Sequence, residues 1–150
     1  MFDTVVIATD GSETAARAVS VALDFAAAFD ASVHALYVLE QRDLEGSPDA
    51  VRAELAAALE EAAEDALSAV RDHADRSVET AVREGKPHAE IIRYAEDVDA
   101  DVVAAGTRGR HGEHAFLLGS VAEGLVRHCD RPVLTVRQLA AEEAGSGLSA

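Results

Sequence analysis

Apolar and polar positions alternate along the chain in blocks that switch between strand and helix periods. Thr4–Thr9 (TVVIAT) is a short β-branched apolar run, the pattern of a strand buried on both faces. Asp10-Gly11-Ser12 breaks it, and Ser12 is placed to cap the helix predicted over Glu13–Phe29. Ala15, Val19, Ala22, Leu23 and Ala26 recur there at helical spacing and form the expected inner stripe. Ser32–Leu39 (SVHALYVL) reads as a second strand. A polar loop, Glu40–Ser47, leads to Pro48, a good first-turn residue, and from there to about Ala74 runs a long, alanine-rich, acidic helix. Ser77–Arg83 is a third strand, ended by Gly85, and Pro87 opens a helix through Glu96 with Ile91, Ile92 and Ala95 facing inward. Asp101–Ala105 leads a fourth strand into Gly106. A glycine-containing loop, a helix over Ser120–His128 and a fifth strand over Pro132–Val136 follow.

Five strands alternating with four helices predict one doubly wound α/β domain, a parallel five-stranded sheet with helices on both faces. Its core spans residues 1–137, and the Ala/Glu/Gly/Ser-rich stretch 138–150 is expected to be a flexible tail. In such sheets ligands bind at the carboxyl ends of the strands, where the strand order reverses. Two loops stand out there, Thr9–Ser12 after strand one and Gly106–Gly119 after strand four.

Composition narrows the setting. Among 150 residues, 49% are hydrophobic, enough to build a core. No apolar run approaches the ~18 residues of a membrane span, and the first residues lack the basic region of a signal peptide. Cys129 is the only cysteine, which excludes a disulfide framework within one chain. A cytoplasmic protein is expected. Thirteen basic residues face 28 acidic ones, for a net charge of −15, and Lys86 is the sole lysine. Such a charge repels itself in dilute buffer but is largely screened at ~1 M salt, where the Debye length is about 3 Å. A salt-rich, halophilic cytoplasm is therefore expected; a GC-rich genome is the alternative source of the Ala and Arg bias. Neither nucleic acid nor membrane suits so acidic a surface.

The loop after strand four carries the chemistry. Gly106, Gly109 and Gly119 let a backbone approach a ligand closely, and successive amides there can form an anion-binding concavity. Gly119-Ser120 opens a helix whose free amides and dipole favour an anion, with the Ser120 hydroxyl as a further donor. Residues 106–137 carry five arginines and three acids, so this segment is net +2 while the remainder is −17. Arg108 and Arg110, inside the loop, are expected on phosphate; Arg127, Arg131 and Arg137 are expected in structural pairs. Together these features would grip two or three phosphates in a row.

Gly106-x2-Gly109-x9-Gly119-Ser120 resembles the ATP-binding signature of the universal stress proteins, Gly-2x-Gly-9x-Gly-Ser/Thr. The opening VVIATDGS, the stretch GKPHAEIIRYAEDVDADVVAAGTRG and the closing RPVLTVR extend the likeness over residues 3–137. The resemblance implies a strand order 3-2-1-4-5 and an adenine nucleotide (ATP, ADP or AMP) with Mg²⁺. It implies that Ala8, Thr9 and Asp10 line the cleft, with Asp10 able to help hold Mg²⁺ through the nucleotide. Capping of the first helix is the competing role for Asp10. Val38 would offer backbone groups to adenine, although its residue type alone reads as a core valine. Gly106, Arg108, Gly109, Gly119, Ser120 and Val121 would wrap ribose and phosphates, and Gly85 would shape the backbone beside the site. His111 and His114 are expected to face solvent.

Binding is favoured over catalysis. The phosphate-loop pattern GxxxxGK[ST] is absent, and no Ser/His/Asp constellation or nucleophile elbow appears. Cys129, at a helix end, reads as a packing residue. ATDGSET does not match the SGGxDS of adenylating ATP-pyrophosphatases. A receiver domain would need an aspartate after strand three and a late lysine, where this chain has Arg83-Glu84-Gly85 and no lysine after Lys86. The fifth strand, Val133-Leu134-Thr135-Val136, would leave a bare apolar edge, which pairing with a second copy covers, the C-terminal tail being the alternative cover. The resemblance implies the same homodimer, with a nucleotide-dependent regulatory or protective role toward an unidentified protein partner. The rival is an interaction dimer of the same family that binds no nucleotide.

Overall fold

The computed structural model describes residues 2–40, 48–107 and 119–137. Nine elements follow in alternation: β1 (Thr4–Ala8), α1 (Glu13–Phe29), β2 (Ser32–Leu39), α2 (Asp49–His73), β3 (Val78–Glu84), α3 (Pro87–Asp97), β4 (Val102–Gly106), α4 (Ser120–His128) and β5 (Val133–Val136). The strands form one sheet in the order β3-β2-β1-β4-β5, every neighbouring pair parallel. The expected topology is present. The residues assigned to the tail, 138–150, lie outside the described residues.

The sheet divides the core in two because strand side chains alternate between faces. Val5, Ile7, Val33, Ala35 and Tyr37 point to the side that α1 and α2 cover. Val6, Leu36, Val103 and Ala105 point to the side of α3 and α4. Val5, Val6 and Ile7 have no exposed surface, so β1 is buried on both faces as its composition predicts. The inner stripe of α1 is likewise the expected one, with Ala15, Val19, Ala22, Leu23 and Ala26 all buried.

Two local expectations need correction. In α3 the fully buried residues are Ile91, Tyr94 and Ala95; Ile92 is half-buried but packs against the same core, and Tyr94 is the inward residue the pattern did not predict. The Tyr94 hydroxyl lies 2.9 Å from His34 Nδ1 on β2, which draws the helix round toward that face. At the start of α1, Ser12 occupies the N-cap position but makes no side-chain capping bond. Its hydroxyl donates instead to Asp10 Oδ1, at 2.5 Å.

α2 behaves differently along its length. Ala63, Ala66, Leu67 and Val70 are buried against the sheet, whereas Val51–Ala62 contributes no buried residue. Of the arginines expected in structural pairs, Arg131 holds a loop and Arg127 pairs within its own helix. Arg131 donates through Nε to the Ala100 carbonyl at 2.6 Å and pairs with Asp99 at 3.3 Å, and Arg127 pairs with Glu123 one turn back on α4 at 2.8 Å. Cys129 packs beside the α3/α4 core, as its residue type predicts.

Candidate nucleotide site

β1 is where the strand order reverses, with β2 on one side and β4 on the other. Ile7 stands opposite Ala104, so the residues that leave β1 and β4 emerge together at the carboxyl edge. On the β1 side, Thr9 is buried and its amide donates to the Leu36 carbonyl at 3.0 Å. The Thr9 hydroxyl oxygen accepts the Gly11 amide at 3.1 Å. Gly11 has φ +76°, a backbone region that residues with a side chain rarely adopt. A Cβ on Gly11 would lie 3.0 Å from Ala66 Cβ, so α2 presses directly on this turn.

Asp10 is fixed by that turn. Its Oδ1 accepts both the Ser12 amide, at 2.9 Å, and the Ser12 hydroxyl. Asp10 thus organises the entry to α1. Among the described residues no hydrogen bond falls on Oδ2, which leaves one carboxylate oxygen for a ligand. One carboxylate oxygen beside phosphates is a usual setting for Mg²⁺, which keeps several waters, so the residues present fit that ion.

On the β4 side, the Thr107 amide donates to the Val136 carbonyl at 3.0 Å. The Thr107 carbonyl in turn accepts the Gly119 amide at 2.6 Å. That bond joins the two ends of the intervening loop and sets Gly106 and Gly119, thirteen positions apart in sequence, at one place. Gly119 is buried at the N-cap of α4, and the first helical bond there runs from the Glu123 amide to the Gly119 carbonyl, 2.9 Å. The amides of Ser120, Val121 and Ala122 carry no backbone hydrogen bond among the described residues. Amides of a first helical turn, which the helix itself leaves without partners, lie at the positive end of its dipole. Ser120 is exposed, and Val121 is half-buried against the α3/α4 core.

Of the other sequence-predicted residues, Ala8 and Val38 are both half-buried at the carboxyl ends of adjacent strands and pack against the α3/α4 core. Gly85, at φ +147°, donates its amide to the Leu39 carbonyl at 2.9 Å, which ends β3 beside β2. Arg108, Gly109, Arg110, His111 and His114 lie outside the described residues. Two features were not expected from the sequence. One is the Thr107–Gly119 clamp, which is backbone-only and leaves no side-chain signal. The other is a cavity of about 440 Å³ between α1 and α2, walled by Asp10 and Ser12 at one end and by Ala62, Asp65, Ala69 and His73 of α2.

A doubly wound sheet of this order, with a helix start at its switch point, belongs to the class of α/β domains in which ligands meet the carboxyl ends of the strands. The family model "Universal stress protein family" matches residues 1–137. Universal stress protein MJ0531 of Methanocaldococcus jannaschii is 36% identical over 142 residues, covering 92% of this chain and 84% of that protein. A universal stress protein assigned in Staphylococcus saprophyticus is 33% identical, covering 91% and 84%. Among solved structures, hypothetical protein MJ0577 superposes with a TM-score of 0.74 at 30% identity, over 94% of this chain and 99% of that one. A universal stress protein crystallised in complex with cAMP gives 0.68 at 25% identity, over 92% and 98%. The chain belongs to the universal stress protein family.

Proposed function

We propose that this chain binds an adenine nucleotide (ATP, ADP or AMP) at the carboxyl edge between β1 and β4, and that the bound state regulates an interaction with another protein. The observation that carries this is the Thr107–Gly119 bond, which joins the halves of the glycine signature at the uncapped start of α4. The relative crystallised with cAMP supports the adenine assignment. In this reading the Ser120 and Val121 amides bind phosphate, Arg108 and Gly109 close over it, and Gly106 gives the phosphates room. Ala8 and Thr9 floor the cleft, Val38 meets the adenine edge, and Asp10 Oδ2 takes Mg²⁺. Bound Mg²⁺ would neutralise phosphate charge. Among the described residues none is arranged as a base for water, which favours binding over turnover as the role, with slow hydrolysis supported by Asp10 and Mg²⁺ as the remaining catalytic option.

The proposal includes a cytoplasmic homodimer paired through β5. The carbonyls of Pro132 and Val136 accept from the Val103 and Thr107 amides on the β4 side. Strand alternation then turns the backbone groups of Val133 and Thr135 toward the open edge, while Leu134 and Val136 bond to β4.

The test is a calorimetric titration of nucleotide-stripped protein with Mg-ATP in molar KCl, beside Gly119→Val. Gly119 has φ −67° and ψ 163°, which any residue adopts, so valine adds bulk at the phosphate without backbone strain. Micromolar binding that the variant loses is expected. Binding that survives in the variant overturns the site, and no binding by the wild type favours the nucleotide-free interaction dimer.

A further inference from the structure

The cavity of about 440 Å³ between α1 and α2 is a groove open to solvent. Its walls include Ala16 of α1 and Ala62, Asp65, Ala69 and His73 of α2, all exposed. Its floor is Val19, Ala66 and Val70, all buried. The groove has a continuation. Along α2, Val51, Leu55, Ala58, Ala62, Ala66 and Ala69 follow at steps of three or four, so they share one helix face. The last three line the cavity. The first three carry the same stripe into the half of α2 that buries nothing, where Val51 is 48% exposed. A solvated helix end gains nothing from an apolar stripe, whereas one aligned with a groove gains when a second helix lies along both.

Both rims are acidic. Glu54, Glu61, Asp65 and Asp72 recur at steps of seven and four, along one ridge of α2 beside the stripe. Glu13 and Asp24, eleven apart, form the matching ridge of α1. None of these carboxylates is engaged in a hydrogen bond or ion pair among the described residues. No lysine or arginine lines the groove, and the guanidinium of Arg17, on the same ridge as Glu13, is drawn off to the Arg137 carbonyl at 2.6 Å.

We propose that this groove docks a basic amphipathic helix of another protein, with Leu, Met or Phe anchors on one face and Lys or Arg along its flanks. This gives a surface and a chemistry to the protein partner proposed above, and it rests on that reading for there being a partner at all. The α2 wall is alanine, so the bulk that fills the groove comes from the partner. Lysine or arginine stems lie over the alanines while their charged heads reach the rim carboxylates. In ~1 M salt the screening length is about 3 Å, so only contact pairs persist. Buried apolar area then carries the affinity, and the carboxylates select the sign of the helix. A second copy of this chain is the poorer occupant, because its own α1 and α2 would set acid against acid.

The test is fluorescence anisotropy of labelled synthetic helices of about 18 residues, ~27 Å long, on nucleotide-stripped protein in molar KCl. Because nucleotide is absent, a failed nucleotide site leaves this result readable. An amphipathic Leu/Lys helix should bind one per chain with a micromolar Kd. A scrambled peptide of the same composition, and a Leu/Glu helix with the same apolar face, should each bind at least tenfold more weakly. Ala62→Gln/Ala69→Gln fills the groove without changing charge or helix propensity much, and should cost at least tenfold. Glu61→Gln/Asp65→Asn leaves the groove open and should weaken the Leu/Lys helix several-fold while strengthening the Leu/Glu helix. Circular dichroism of each variant confirms that it folds. Leu/Lys binding that survives Ala62→Gln/Ala69→Gln, equal binding of the Leu/Glu helix, or no saturation overturns the proposal. Sedimentation in which Ala62→Gln/Ala69→Gln alone dissociates an oligomer gives the groove to a second copy and overturns it too.

Discussion

Replacing Gly11 by alanine tests how the first loop is held. Two costs are legible at this position. A side chain at φ +76° costs ~1–2 kcal/mol. The added Cβ also meets Ala66 Cβ at 3.0 Å, tighter than ordinary contact, and overpacking of this kind costs ~1–3 kcal/mol. Alanine restricts the unfolded chain and returns about 0.4–1 kcal/mol. The net loss is about 1–5 kcal/mol, or about 2–18 °C in Tm for a domain of this size. Thermal unfolding followed by circular dichroism at fixed molar KCl reads it. Gly11→Asn separates the two costs, because asparagine tolerates positive φ yet keeps the contact with α2. Gly11→Ala combined with Ala66→Gly does the reverse, relieving the contact while keeping the backbone strain. A Gly11→Ala protein that melts within about 1 °C of the wild type would refute both the turn geometry and the packing of α2 upon it.

Three further outcomes follow from the same structure. His88 titrates below its usual 6.5 in the folded chain, so acid protonates the unfolded chain first. Burial, with the charges of Lys86 and His128, is the cause. Stability is therefore full above about pH 6.5 and falls as the pH drops below it toward the folded value, and His88→Gln should flatten that fall; an unchanged slope contradicts it. Thr135→Pro removes an outward amide from β5 without breaking the β4 ladder, and should convert the proposed dimer to a monomer by sedimentation in molar salt. A wild type that is already a monomer refutes the edge pairing. The net charge of −15 predicts that circular dichroism signal is lost below molar salt, and full stability in dilute buffer would remove the halophilic assignment.

The fold was legible because punctuation and period agree along most of the chain. Both ends of α1, β2 and α4 fall where the sequence puts them, and other elements differ by a residue at one or both ends. The difference in α3 has a plain cause. Its eleven residues make only three turns, so the apolar stripe is compatible with more than one rotation, and the contact between Tyr94 and His34 chooses. α2 shows the opposite limit, since a regular acidic, alanine-rich helix carries no mark of where the sheet beneath it stops. At the site, the glycine spacing identified both halves of the loop, whereas the bond between Thr107 and Gly119 involves only backbone atoms. Ser12 was misassigned because a hydroxyl two residues from a carboxylate prefers it to the helix amides.

The central claim is that nucleotide binds where β1 and β4 end. Amide chemical shifts of isotope-labelled protein, followed by NMR as Mg-ATP is added in molar KCl, test it most directly. The amides of Thr9–Ser12, Thr107 and Gly119–Val121 should move together and saturate at one equivalent, while those of β3 and the last turn of α3 stay still. Shifts confined to other surfaces, or none at all, would contradict the account.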